Sequence, residues 1–303
     1  MEKLKSQAKM LSTRRFICYA VLVLLAILSL FPFYIMVINA TRSHPQIQSG
    51  FSAIPGTQLW LHIKQFLKSE RWFDIVAGQQ VERKVYGTSY PIFRGLGNSF
   101  LVALFTAAFT TYFSAMTAYG IYMYNFKGKK SAFKFIMAVM MVPTQVSTLG
   151  FLQLITKLGI MNSYIPLIIP SIAAPVVFFY MYQSMEATLP YSIVEAARVD
   201  GSNEFYTFNA IVCPMLKPAF AVQSIFAFVT SWNNYFIPAL VISDKKLWTV
   251  PIVIANARSA DYMMFDLGVN YTLMTVAILP LIVIYFFLSR YIIGGVTAGG
   301  VKE

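Results

Sequence analysis

Residues Glu195–Pro214 read E-A-A-R-V-D-G-S-N-E-F-Y-T-F-N-A-I-V-C-P, a charged island in a strongly apolar chain. Glu195, Arg198, Asp200 and Glu204 stand close together between two long runs that carry no charge at all. Pro190 suits the start of a helix, where its missing N–H and fixed φ do no harm. Ala196 and Ala197 favour the helix and keep one face thin enough for close approach. Gly201 is placed to end it in the left-handed conformation. Ile193, Val194 and Ala197 then share one side, with Arg198 and Asp200 elsewhere on the surface. The expectation is a short helix outside the bilayer, with an apolar face to dock and charges to orient it. An amphipathic helix lying on the lipid surface fits the same pattern.

Outward from the island, composition sets the class. Of 303 residues, 57% are hydrophobic and only 12% charged, and the mean hydropathy is +0.62. A soluble domain carries about 25% charged residues, so this is an integral membrane protein. The net charge of +12 is scattered over loops and not gathered into a stripe, which excludes a nucleic-acid footprint. An excess of Lys and Arg on cytoplasmic segments explains it. Two cysteines, Cys18 and Cys213, and two histidines, His44 and His62, make neither a disulfide framework nor a metal-site spacing.

Hydropathy divides the chain into six expected spans, at about 16–40, 95–124, 135–155, 164–184, 219–242 and 267–289. Lys3, Lys5, Lys9, Arg14 and Arg15 precede the first span and place the N-terminus in the cytoplasm. That span is too long for a signal-peptide core and lacks a small-residue cleavage site, so it stays in the membrane. Pro32 is expected to kink it. Residues 41–94 are too charged to cross and form an external loop, with helix expected over Leu59–Ser69. Lys127, Lys129, Lys130 and Lys134 mark a short cytoplasmic loop. Pro143 falls mid-way in the third span; Pro166, Pro170 and Pro175 fall in the fourth, where neighbouring helices can satisfy freed carbonyls. An even count puts both termini inside and leaves 186–217 as a cytoplasmic loop.

The order E-A-A, three residues, Gly201, nine residues, Ile211-x-x-Pro214 resembles the cytoplasmic "EAA" loop in membrane subunits of binding-protein-dependent ABC importers. More narrowly, the chain is similar to the second permease subunit of maltose-type carbohydrate importers. Asn98-Ser99, Pro143, Leu158-Gly159-Ile160-Met161-Asn162-Ser163 and Ser231-Trp232-Asn233-Asn234-Tyr235-Phe236-Ile237-Pro238 carry the resemblance from about Gly97 to Pro251. Cys213 stands where that family usually has Leu, a small apolar change, and the 41–94 loop is longer than usual.

The resemblance implies an all-α, six-helix type I importer permease fold in the cytoplasmic membrane of a prokaryote. It implies that Glu195, Ala196, Ala197, Arg198, Asp200 and Gly201 form the coupling element to a separate ATPase dimer. Glu195 would meet a basic ATPase residue, with Arg198 or Asp200 as alternatives. ATP and Mg would be bound by that ATPase and no cofactor by this chain. A second, related permease and an external solute-binding protein complete the assembly, with a carbohydrate as substrate. The loop 243–266 would reach toward the binding protein and the glycine-rich tail toward the ATPase.

No Asp, Glu, Lys, Arg or His lies well inside any expected span, where an ion-coupled carrier usually needs one. No G-x-x-x-x-G-K-[S/T] phosphate loop is present, and no nucleophile, acid/base or metal constellation falls at membrane depth. Energy therefore has to come from outside the chain. Neutral amides do occur in the spans, at Asn98, Gln145, Gln153, Gln183, Gln223, Asn233 and Asn234. Such groups face protein or a water-filled path. Trp232, Asn233, Asn234 and Tyr235, with Gln145, combine aromatic faces with donors and acceptors for hydroxyls and are the candidate substrate path. Packing or an interfacial belt fits Trp232 and Tyr235 as well. Other readings are an ABC permease for a non-sugar solute and a stand-alone carrier or channel.

Overall fold

The computed structural model describes residues 2–67, 72–76, 79–83, 91–258 and 266–300; for 2–13, 65–67, 72–76, 79–83, 144–145, 258 and 288–300 it describes the backbone alone. The chain divides into two compact units, 1–89 with 257–276, and 90–256 with 277–303.

In the first unit, α1 (Glu2–Ala40) runs unbroken through Pro32, and its stretch Arg14–Ala40 has the length and apolarity to cross a membrane. Its side chains are exposed from Arg14 to Tyr34, as suits a helix apolar all round and bathed in lipid. Two short helices follow, α2 (His44–Gln48) and α3 (Leu59–Leu67). The expected helix thus ends at Leu67; Ser69 lies outside the described residues. A short ribbon in the otherwise helical chain comes next, where β1 (Trp72–Val76) pairs antiparallel with β2 (Gln79–Arg83), Trp72 opposite Arg83.

Buried polar contacts tie this unit together. Arg42 donates to Asn39 Oδ1 (3.1 Å) and to the carbonyls of Gln46 and Gly50 (the latter 3.1 Å). His62 Nδ1 stands 2.9 Å from the carbonyl of Ala40; a carbonyl only accepts, so that nitrogen carries the proton. Asp266 Oδ1 accepts the N–H groups of Gly268 and Val269 (2.8 and 3.2 Å) and caps the last helix, Leu267–Gly300. The N–H of Leu267 donates to His44 Nδ1 (3.0 Å).

The second unit is built on α4 (Ile92–Met123). Ser99, Ala103, Ala107, Thr111 and Ala115 recur every four residues and are all buried. This row of small side chains lets neighbouring helices approach closely. The third expected span is segmented: α5 (Lys129–Val139) and α6 (Thr144–Lys157) are separate helices, with Pro143 extended between them at ψ 124°. Helix α5 ends four residues before Pro143, where the ring would strike the carbonyl of Val139. The fourth span is also segmented. Short α7 (Ile165–Ile168) tightens to a 3-10 turn (Ile169–Ile172), and α8 (Pro175–Thr188) follows a break before Pro175; α4 packs against both α8 and the later helix 217–232.

Beyond α8 come α9 (Tyr191–Val199), α10 (Glu204–Tyr206), a π-helical turn (Thr207–Val212) and α11 (Cys213–Met215). The fifth expected span is segmented as well. It is α12 (Lys217–Trp232), a break at 233–235, and α13 (Phe236–Val241). Among the described residues four helices are long and apolar enough to cross a membrane, Arg14–Ala40, Ile92–Met123, Ile165–Thr188 and Leu267–Phe287.

The resemblance-bearing motifs fasten one end of this unit. Asn98 donates to the carbonyls of Lys246 and Trp248 (2.9 Å each), and Ser99 Oγ accepts the N–H of Val250 (2.8 Å). This holds the start of α14 (Val250–Arg258) on α4. Asn162, with φ 54°, accepts the N–H groups of Ser243 and Asp244 (3.1 and 2.9 Å). An Asn that tolerates the left-handed region serves as the clamp here.

Candidate functional site

At the opposite end of α4, the charged island folds as a capped lever. Pro190 is the residue before α9, extended at ψ 136°. At the other end the N–H of Ser202 donates to Ala197 O (2.9 Å) and that of Gly201 to Arg198 O (3.1 Å). With Gly201 at φ 79°, these two bonds make a Schellman end. Val194 and Ala197 are buried. Val194 belongs to one core with Tyr119 and Tyr122 of α4, Phe178, Met181 and Met185 of α8, and Phe208 beyond. Tyr122 stacks on Tyr191 at 4.7 Å between centroids and donates to the carbonyl of Leu189 (3.2 Å). The lever is thereby seated on the helices it follows.

Its outer surface is apolar at the rim. Val199 is 87% exposed, and Phe205 and Tyr206 are largely so. Ile193, expected on the buried side, is exposed: it sits one residue, or about 100°, off the Val194–Ala197 stripe. Glu195, Ala196, Asp200 and Gly201 all face outward.

Arg198 does not. Its Nε donates to Glu204 Oε1 at 2.6 Å, and its guanidinium lies 5.2 Å from the Tyr124 ring centroid. Tyr119 Oη donates to the other oxygen, Glu204 Oε2, at 2.8 Å. The Arg198 hydrogen bond, reinforced by those of Tyr124 and Tyr119, holds the Glu204 carboxyl down at about 2. Arg198, half-buried, is thus paired within the loop. After α10, the segment Glu204–Met215 meets α12 at 84°. Pro214 has no N–H to return to Ala210, and the wide π-helical turn lies just ahead of it.

Further along α4, Thr106 and Thr110 face Gln223, Thr230, Ser231 and Asn234 across a cavity of about 680 Å³. Tyr180 of α8 adds an aromatic face, and no lining residue is charged. Asn234 also borders a second cavity of about 580 Å³, with Ser147 and Thr148 of α6.

The lever, and the cavity walls apart from Thr106, lie within a stretch that matches one family. The model described as binding-protein-dependent transport system inner membrane component matches residues 110–297. The chain belongs to this family. It is a multi-pass membrane permease subunit of an ABC importer. Among curated relatives, the permease is 36% identical over 210 residues to the arabinooligosaccharides transport system permease protein AraQ of Bacillus subtilis strain 168, covering 69% of this chain and 74% of that one. It is 30% identical over 287 residues to the lactose transport system permease protein LacG of Rhizobium radiobacter, covering 94% and 95%. It is 28% identical over 279 residues to the sn-glycerol-3-phosphate transport system permease protein UgpE of Yersinia pestis, covering 92% and 94%. The fold is that of a chain in the crystal structure of a bacterial ABC transporter involved in import of the acidic polysaccharide alginate. The TM-score is 0.75 at 17% identity, over 93% of this chain and 98% of that one.

Among the expected path residues whose side chains are described, Asn234 borders both cavities. Trp232 is 3% exposed and stacks on Phe228 at 5.7 Å, inside the helix core. Asn233 caps α12 and is exposed, and Tyr235 is half exposed at the start of α13. Gln145 lies in the first turn of α6, which brings Ser147 and Thr148 to Asn234; its side chain lies outside the described residues. Thr106 and Thr110 went unread because threonine in an apolar helix is ordinarily self-satisfied by a bond to its own backbone. Thr106 Oγ makes no such bond.

Proposed function

We propose that this permease carries a neutral carbohydrate, as an oligosaccharide, through a path bordered by Asn234, Gln223, Thr106 and Thr110, driven by ATP hydrolysed on a separate subunit. The observation that carries the reading is the lever at 191–201, seated on the transmembrane core and apolar at its free rim. Glu195, Ala196, Asp200 and Gly201 form the coupling surface, with the buried Ala197 seating the lever beneath it and Val199, Phe205 and Tyr206 as the apolar contacts around it. Glu195 or Asp200 supplies the charged bond to the ATPase. ATP and Mg are bound by that ATPase dimer, and this chain is non-catalytic.

Six crossings in a prokaryotic cytoplasmic membrane, with both termini inside, complete the reading. Three of the six are broken helices, α5 with α6, α7 with α8, and α12 with α13; each pair with its connection reaches the roughly 20 residues a crossing needs. The basic N-terminal flank supports the orientation. A second permease closes the path, and an external binding protein delivers the sugar. Relatives named for arabinooligosaccharide and lactose transport support the carbohydrate assignment. So does a cavity whose polar groups are hydroxyls and amides. A phosphate ester would leave its charge unpaired there.

Co-purification with a cytosolic ATPase tests the coupling reading, comparing wild type with Gly201→Asp and Glu195→Ala. Wild type should bring down an ATPase, and the variants should lose it or lose stimulated hydrolysis. No ATPase under any mild detergent condition refutes the importer reading for this chain.

A further inference from the structure

Resting on that coupling reading, we infer that Glu204, Arg198 and Tyr119 form a transmission latch, through which displacement of the docked lever reaches the cavity wall. One carboxylate joins three elements. Its Oε1 takes Arg198 in the last turn of α9 (2.6 Å), and its Oε2 takes the Tyr119 hydroxyl on α4 (2.8 Å), while Glu204 itself opens α10. Arg198 and Glu204 stand on either side of the Gly201 turn, so their bond fixes the angle between two short helices that the turn alone leaves free.

Tyr119 is the link to the membrane helix. It is buried in the core and packs on Phe208 at 5.4 Å between centroids. The lever also touches α4 through apolar contacts, which resist separation but tolerate sliding, and through a neutral bond from Tyr191 Oη to the Tyr122 carbonyl (3.2 Å). A charge-assisted bond resists sliding as well, because it is short and directional. Thr110 lies nine residues up α4 from Tyr119, about 14 Å along the axis, and Thr106 one turn further. Both line the cavity. A helix is stiff over that span, so a shift imposed at Tyr119 is delivered at Thr110 and Thr106. Glu204, Arg198 and Tyr119 act as positioning residues: none touches the cavity.

The test uses the complete importer in proteoliposomes and reads solute moved per ATP hydrolysed, a quantity that a purely structural role leaves unchanged. Tyr119→Phe deletes one hydroxyl and leaves the ring in its core, and Glu204→Gln keeps the shape of the side chain but removes the charge. Both variants should retain the ATPase and its basal hydrolysis within about twofold, while solute per ATP falls about tenfold, the loss associated with one charge-assisted bond. An unchanged ratio in both variants, with the ATPase retained, overturns the latch alone. A transport loss that merely tracks the loss of assembled complex also overturns it. A wild-type chain that holds no ATPase overturns the coupling reading and the latch with it.

Discussion

Gly201→Ala and Gly201→Asn separate backbone strain at the lever's end from contact with a partner. Gly201 has φ 79°, and a Cβ built there meets nothing within 4 Å. The penalty for alanine is therefore conformational, not steric: about 1–2 kcal/mol for an L residue with a Cβ in the left-handed region. Asparagine visits that region readily and should be nearly neutral. The bond at stake is the 2.9 Å one from Ser202 N–H to Ala197 O. Destabilisation by 1–2 kcal/mol multiplies the open population about 5–30-fold, so amide exchange at Ser202 in the isolated permease should rise by that factor in Gly201→Ala and little in Gly201→Asn. The same pair in the assembled importer then reports the docking surface. If a partner approaches Gly201 closely, Asn, the larger side chain, becomes the worse variant for ATPase retention while remaining the better one for exchange. Exchange at Ser202 that is unchanged in Gly201→Ala would refute the argument from φ.

Gly268→Ala should destabilise the first unit by about 1–3 kcal/mol, because the added Cβ would lie 2.5 Å from both the Arg42 carbonyl oxygen and His62 Cε1; thermal unfolding of the detergent-solubilised protein checks it. Asn98→Asp removes both donors from the Lys246 and Trp248 carbonyls and sets a charge against them. The expected loss is about 1–3 kcal/mol, read as faster exchange across Lys245–Val250. Glu204 has a depressed folded-state value, so its clamp is fully present above the ordinary 4.5 and is lost as pH falls through about 2. The stability gap between wild type and Glu204→Gln should therefore stay flat from pH 5 to 8.

Local rules carried the lever and failed wherever two segments had to be brought together. Pro190 and Gly201 bound α9 as their φ preferences require. The pairing of Arg198 is not legible because its partner Glu204 lies across a left-handed break, where helical periodicity no longer says which face a residue takes. Tyr119 stands 85 residues away from Glu204, and nothing local marks it. Hydropathy windows averaged across Pro143 and Asn233–Tyr235 and so reported whole spans where the backbone breaks. For Trp232 a signal was available in Phe228, four residues earlier, the spacing that puts two rings on one face. The β1–β2 pair was legible too, as W-F-D-I-V and Q-Q-V-E-R separated only by Ala77-Gly78, but the charge of that region directed attention to its not being a span.

The break after α12 has a consequence for hydration. Sixteen residues of α12 rise about 24 Å, short of the roughly 30 Å of hydrocarbon in a bilayer. Irregular backbone at such depth persists only where protein or a wet cavity accepts its polar groups, and Thr230, Ser231 and Asn234 open onto that cavity. On the proposed six-crossing reading, water in that cavity serves the backbone of the break before it serves transport. A passage kept wet for its own backbone is also a leak, and the apolar side chains on its walls, Leu167, Val176 and Phe226, are the ones in position to seal it between cycles.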